Sequence, residues 1–208
     1  MNAIHVRATL RTLAFAAATA ASPALAQDTS HASPSAAPAS PQAAQVRQIA
    51  DEYLAAVVAR FPGTAETLGS GPPAERWSDN SIAAQAAWDA EQDGYLGRLR
   101  AVDADALFGQ PEWLIAGMLR ESLEGDAAQR VCRFELWSGV DQIFGWHIGV
   151  GNQAALTRAE TPDERARALA LWRDLPRFAR VETENLRAGL AAGYAAPREN
   201  VLRVIDQV

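Results

Sequence analysis

The densest run of chemically capable side chains is Arg130-Val131-Cys132-Arg133-Phe134-Glu135-Leu136-Trp137, followed closely by Asp141-Gln142-Ile143-Phe144-Gly145-Trp146-His147. Arg133 and Trp137 are four residues apart, as are Val131 and Glu135, so a helix through this run shows two faces. A glycine-punctuated loop then brings a second tryptophan close. Indole rings supply apolar contact area, while a guanidinium or carboxylate fixes a polar group of a bound molecule. On this ground Arg133, Glu135, Trp137, Gln142, Trp146 and His147 are the candidate wall of a substrate site. The same side chains also suit a more ordinary use, a tryptophan-rich core closed by a buried Arg-Glu pair. No catalytic residue is nominated by either reading.

Other chemistries lack their parts. A zinc site needs three or four ligands at suitable spacing, and beyond the leader the chain offers only His31, His147 and Cys132 besides carboxylates. No His-Glu-x-x-His helix is present, so no metal site is expected within this chain. His147 has no Gly-x-Ser-x-Gly elbow to join in a serine triad. Gly149-Val150-Gly151-Asn152-Gln153-Ala154 fits a dinucleotide fingerprint loosely but lacks a preceding strand, and reads as a flexible loop. The carboxylate pairs Glu121/Glu124 and Glu182/Glu184 resemble a glycosidase acid and nucleophile only in spacing, and in arginine-rich helices such pairs are solvated faces. All basic residues are arginine, which removes every Schiff-base or phosphate-loop lysine; the formal net charge of −6 argues against a nucleic-acid groove.

Met1 to Ala26 has Arg7 and Arg11, an apolar run from Leu13 to Ala21, and Ser22-Pro23-Ala24-Leu25-Ala26, the small-x-small pattern of a signal-peptidase site. The run is roughly half the length needed to span a bilayer. Residues 1–26 are therefore expected to be an export signal, with the rest periplasmic or secreted and, lacking a cysteine at the cleavage point, without a membrane anchor. Residues 27–44 are Ala, Ser, Pro, Gln and Thr with almost no large apolar side chain, a disordered spacer in which His31 is solvated. A lone cysteine cannot make an internal disulfide, and Cys132 reads as a small buried side chain.

The expected helical domain spans residues 45–208. Val46, Ile49, Tyr53 and Val57 place one apolar face on a first helix that stops at Phe61-Pro62-Gly63. Thr64 to Asp79 reads as a loop, with Ser78 or Asp79 capping a second helix whose face is Trp88, Tyr95, Leu99 and Val102. A third helix starts at Pro111-Glu112 with Ile115, Met118, Leu119 and Leu123 inward, and a further helical stretch covers Ala127 to Trp137. Thr161-Pro162-Asp163-Glu164 is a capping box; Pro176 should break or kink the helix that follows, with Phe178, Leu186 and Leu190 facing the core beyond it. After a turn at Gly193 to Pro197, Val201, Val204, Ile205 and Val208 form a new stripe still in register at the final residue, which reads as a cut through an amphipathic helix. No segment alternates with period two, so the expectation is an all-α, irregular multi-helix domain of about six to eight helices.

Trp77-Ser78-Asp79-Asn80-Ser81, the Cys132–Trp137 run, Gln142–His147, and Leu175-Pro176-Arg177-Phe178 with Asn185-Leu186-Arg187-Ala188-Gly189-Leu190-Ala191-Ala192-Gly193-Tyr194-Ala195-Ala196-Pro197 resemble the N-terminal part of a bacterial family. That family is named only as domain of unknown function 885. The resemblance covers roughly Val46 to Val208 and none of its motifs is catalytic. It implies exported, largely helical and considerably longer proteins, similar in their later half to zinc metallopeptidases. On that basis the chain is expected to be the helical lobe walling a peptide cleft, with zinc and the catalytic half carried by a missing C-terminal part of the same protein. The fragment alone is then expected to be inactive. The alternatives are a non-catalytic periplasmic binding module, or a truncated product without function.

Overall fold

The computed structural model describes residues 40–68 and 73–208, and among them shows seven α-helices and no strand, the all-α fold the patterning implies. Residues 1–26, read as an export signal, His31, most of the expected spacer and Gly69 to Pro72 lie outside the described residues. Helix α1 (Pro41–Arg60) begins inside the stretch read as spacer: Ser40 Oγ accepts from the Ala43 amide at 3.1 Å and Pro41 is pre-set for the first turn. Ala43 is fully buried, so residues 41–44 belong to the packed domain and not to the spacer. A short helix, α2 (Gly63–Thr67), occupies the start of the expected loop. Helix α3 (Ile82–Arg100) is capped by Ser81, not by Ser78 or Asp79; Asp79 Oδ1 instead accepts from the Ser81 amide and tightens the turn before the cap.

Helix α4 (Pro111–Gln129) completes the core. Val46 and Ile49 of α1, Leu96, Leu99 and Val102 at the end of α3, Leu107 of a single 3-10 turn, and Ala116 and Leu123 of α4 form one cluster with Tyr53, Tyr95 and Leu119 against it. Val46, Ile49, Leu107 and Leu123 are the largest fully buried side chains, each contributing roughly 2 kcal/mol by leaving water. On α4 the inward positions are Glu112, Ala116, Leu119 and Leu123, while Ile115 and Met118, expected inside, are exposed, Met118 by 63%. The cause is Glu112: its side chain, 3% exposed, is ion-paired with Arg47 of α1, which turns the buried face of α4 by about one residue. The Glu112 amide in the first turn and Arg47 together hold its carboxyl below the usual range.

Beyond α4 the expected helix through Trp137 does not form. The chain makes two 3-10 turns, Arg130–Cys132 and Phe134–Leu136, separated by Arg133 in the left-handed region at φ 47°. Cys132 is exposed on the first of these, contrary to the buried placement expected from its apolar character. Helix α5 (Trp146–Leu156) covers Gly149 to Ala154, which are helical and not a flexible loop.

Helix α6 (Pro162–Ala191) starts with the expected capping box, Thr161 Oγ1 accepting from the Glu164 amide and Glu164 Oε2 from the Thr161 amide. It runs through Pro176 without a break. The segment before α3 straps both sides of that proline: the Trp77 amide donates to Asp174 Oδ2, Trp77 Nε1 to the Leu171 carbonyl, and Arg177 Nη2 to the Trp77 carbonyl. Tertiary hydrogen bonds thus offset the donor that proline lacks. The inward face of α6 is Leu171, Phe178, Glu182, Asn185 and Gly189, whereas Leu190, assigned to the core by its spacing, is 66% exposed. At Gly189 a Cβ would lie 2.1 Å from the Leu136 carbonyl oxygen, so only glycine lets α6 meet the second 3-10 turn. Gly193 at φ 85° turns the chain into α7 (Arg198–Ile205), whose Val201, Leu202 and Ile205 are exposed. No helix among the described residues is long and apolar enough to cross a membrane.

Candidate functional site

A cleft of about 810 Å³ lies between α1, α3, the end of α4, the 3-10 turns, α5 and α6. Its aromatic surface comes from Tyr53 of α1 and Phe61 just past its end, Trp88 of α3, Trp77 on the strap, Phe134, Phe144, Trp146 and Phe178. These rings form contacting sets: Tyr53 stacks on Trp88 with centroids 5.9 Å apart, Trp77 meets Phe178 at 5.1 Å, and Trp146 meets Phe178 edge-on at 6.0 Å. Between the rings stand side-chain amides and charges. Gln92 Nε2 donates to Asp126 Oδ2 and Gln85 Nε2 to Asp89 Oδ1, each at 2.8 Å. Arg130 spans Asp89 and Asp93, and Arg133 Nε donates to Glu135 Oε1 at 2.5 Å.

The most buried carboxyl of the cleft is Glu182, 7% exposed. Its Oε1 accepts from Asn80 Nδ2 at 2.6 Å, and the Asn80 carbonyl accepts from Asn185 Nδ2 at 2.7 Å. Burial pushes the Glu182 carboxyl above its ordinary range, the Asn80 hydrogen bond opposing this in part. Burial likewise pushes the Tyr53 phenol up. Glu182 was read with Glu184 as a solvated pair; only Glu184 is exposed. Leu171, Phe178, Glu182, Asn185 and Gly189 follow one another at +7, +4, +3 and +4, so the signal was an apolar stripe that continues through polar residues.

Of the six residues nominated from sequence, Arg133, Glu135 and Trp146 line the cleft. The other three do not line it. Trp137 donates from Nε1 to the Cys132 carbonyl at 3.0 Å. The Gln142 carbonyl accepts from Gln207, and His147 Nε2 sits 3.0 Å from Gln207 Oε1, so both anchor the segment after α7. The Arg133–Glu135 pair is partly exposed, which does not fit a buried pair closing a core. Among the described residues no group of three or more His, Cys, Asp or Glu side chains could hold a metal ion, so a zinc ion does not fit the donors present here.

Residues 62–208 match the sequence profile of a family described as Bacterial protein of unknown function (DUF885). The chain belongs to this family. No curated protein and no solved structure matches it. The match to DUF885 takes in α2 through α7, and with them every cleft wall except α1.

Proposed function

We propose that this DUF885 chain is the substrate-binding helical lobe of an exported, zinc-dependent peptidase-like hydrolase, and that its cleft holds a peptide. The observation that carries the reading is the lining of the cleft: aromatic faces alternate with the side-chain amides and carboxyls of Asn80, Gln92, Asp126, Glu182 and Asn185. Such a wall offers stacking area for side chains together with donors and acceptors for peptide groups. Arg133, Glu135 and Trp146 belong to it. On this reading zinc activates the water on a further part of the protein, and these helices supply the binding wall. The apolar face of α7, exposed at Val201, Leu202 and Ile205, is the surface on which that further part would pack.

The test has two arms. Titration of the purified chain with short peptides, followed by tryptophan fluorescence and calorimetry, should give saturable binding without turnover, and chelators should change nothing. The product of the gene read past codon 208 should bind zinc and cleave peptides that the lobe binds. Peptide binding with neither zinc uptake nor cleavage by that product would favour a non-catalytic binding module, and no peptide binding by either would sink the reading.

A further inference from the structure

We propose that Glu182, Trp146 and Phe178 form a cation subsite in the cleft, which takes an ammonium or guanidinium group of the bound molecule. Phe178 and Glu182 are four residues apart on the inward face of α6, so the ring and the carboxyl stand one above the other. Trp146 meets Phe178 edge-on, and Trp77 lies tilted across the same ring with centroids 5.1 Å apart. Both the carboxyl and the indole approach Gly139: a Cβ there would lie 3.4 Å from Glu182 Oε2 and 3.5 Å from Trp146 Cδ1. Oε1 is taken by Asn80, whereas no hydrogen bond reaches Oε2 among the described residues.

The charge pattern of the cleft points the same way. Asp89 and Glu135 each face a guanidinium, Arg130 and Arg133 respectively. Glu182 is more deeply buried than either and has no ion-pair partner among the described residues. A desolvated carboxyl with one amide donor is costly to ionise, which is the sense in which its proton affinity is raised. A cation bound against it supplies the missing counter-charge, and the neighbouring ring faces attract the same cation through their quadrupoles. The inference deepens the peptide-cleft reading and rests on it only for the kind of molecule that carries the cation.

Calorimetric titration of the whole chain with four compounds tests the subsite. Trialanine amide carries only an α-ammonium, N-acetyl-lysine methylamide only a side-chain ammonium, benzyltrimethylammonium a cation without a peptide, and N-acetyl-trialanine amide no charge. At least one cationic peptide should bind about tenfold tighter than the acetylated neutral one, and which of the two does so identifies the source of the cation. Glu182→Gln should abolish that preference, so that the variant binds cationic and neutral peptides equally. Equal affinity for neutral and cationic peptides, or a preference that survives E182Q, overturns the subsite while leaving the peptide cleft standing. Binding of benzyltrimethylammonium but of no peptide supports the subsite and removes the peptide reading, and binding of none removes both. Should E182Q fail to fold, Trp146→Leu decides: selective loss for cationic compounds supports the subsite, and equal loss for neutral and cationic compounds overturns it.

Discussion

Asn80 and Glu182, far apart in the chain, meet inside the cleft, where Asn80 Nδ2 donates to Glu182 Oε1 at 2.6 Å. The bond satisfies one oxygen of a carboxyl whose proton affinity is raised chiefly by burial. The folded state therefore holds that proton more tightly than the unfolded chain does. Stability consequently falls as pH rises from the ordinary carboxyl range towards the raised folded value. Asp89, Asp126 and Glu135 share the cleft with Arg130 and Arg133, and none of the five is removed by a change at position 182. Glu182→Gln keeps an acceptor for Asn80 and removes the charge. Its melting temperature near pH 7 should exceed that of the wild type by about 2–4 °C, the gain shrinking near pH 4 where both side chains are neutral. Circular dichroism melts at the two pH values check this, and a less stable variant at neutral pH would contradict it.

Gly189 touches backbone, not a side chain that can move aside. An alanine there places Cβ 2.1 Å from the Leu136 carbonyl oxygen, so the 3-10 turn Phe134–Leu136 must shift, and Arg133 and Glu135 with it. Gly189→Ala should cost about 1–3 kcal/mol. Gly97 on α3 is the matched control, since a Cβ there meets nothing within 4 Å. Gly97→Ala should stabilise by about 0.5–1 kcal/mol through helix propensity and the unfolded chain. Urea unfolding of the two variants in parallel measures both, and equal effects at the two glycines would refute the close approach.

The elements that apolar periodicity and caps specify locally were legible. The stripe Val46, Ile49, Tyr53 on α1, Trp88 and Leu99 on α3 with Val102 just past its end, and the Thr161–Glu164 capping box all stand as the residues imply. What failed was set by tertiary partners. The rotation of α4 follows from a buried Glu112 reaching Arg47, and the continuity of α6 across Pro176 follows from a strap nearly a hundred residues away in sequence. The cleft was half legible for the same reason. Arg133, Glu135 and Trp146 stood out as a local cluster, but Asn80 and Glu182 become a site only when α6 and the segment before α3 meet. Polar residues on an apolar stripe were the one available signal, and charge alone had made them look solvated.

Cys132 offers a direct check on the surface placement of the turn Arg130–Cys132. The thiol, read from the sequence as buried, is exposed on the first 3-10 turn. The native protein should therefore react fully with iodoacetamide at the rate of an accessible thiol, with one adduct by mass spectrometry, since the chain has a single cysteine. Protection in the folded state that is lost in denaturant would contradict the exposed placement. A Cys132→Ser variant should melt within about 0.5 kcal/mol of the wild type, as surface substitutions do.

Asp174 carries the strap that makes Trp77 a wall of the cleft. Its Oδ2 accepts from the Trp77 amide at 2.9 Å and from Arg177 Nη2 at 2.7 Å, while Oδ1 accepts from Arg177 Nε at 2.7 Å. The Arg177 hydrogen bonds lead in holding its carboxyl below the usual range. The stabilisation is thus present at neutral pH and is lost as pH falls through that lowered value. Arg177 is a third exposed, so the ion pair itself contributes little. The larger cost of Asp174→Asn is geometric, because an amide offers one acceptor oxygen where three donors converge, and about 1–3 kcal/mol should be lost. Trp77 would then loosen from Phe178 and Trp172, the rings it now contacts. Asp174→Asn should keep its far-ultraviolet helical signal, melt lower, and show greater acrylamide quenching of tryptophan fluorescence. Unchanged quenching with a lowered melt would mean that α6 is weakened while the strap holds by the Trp77 Nε1 bond to Leu171 alone.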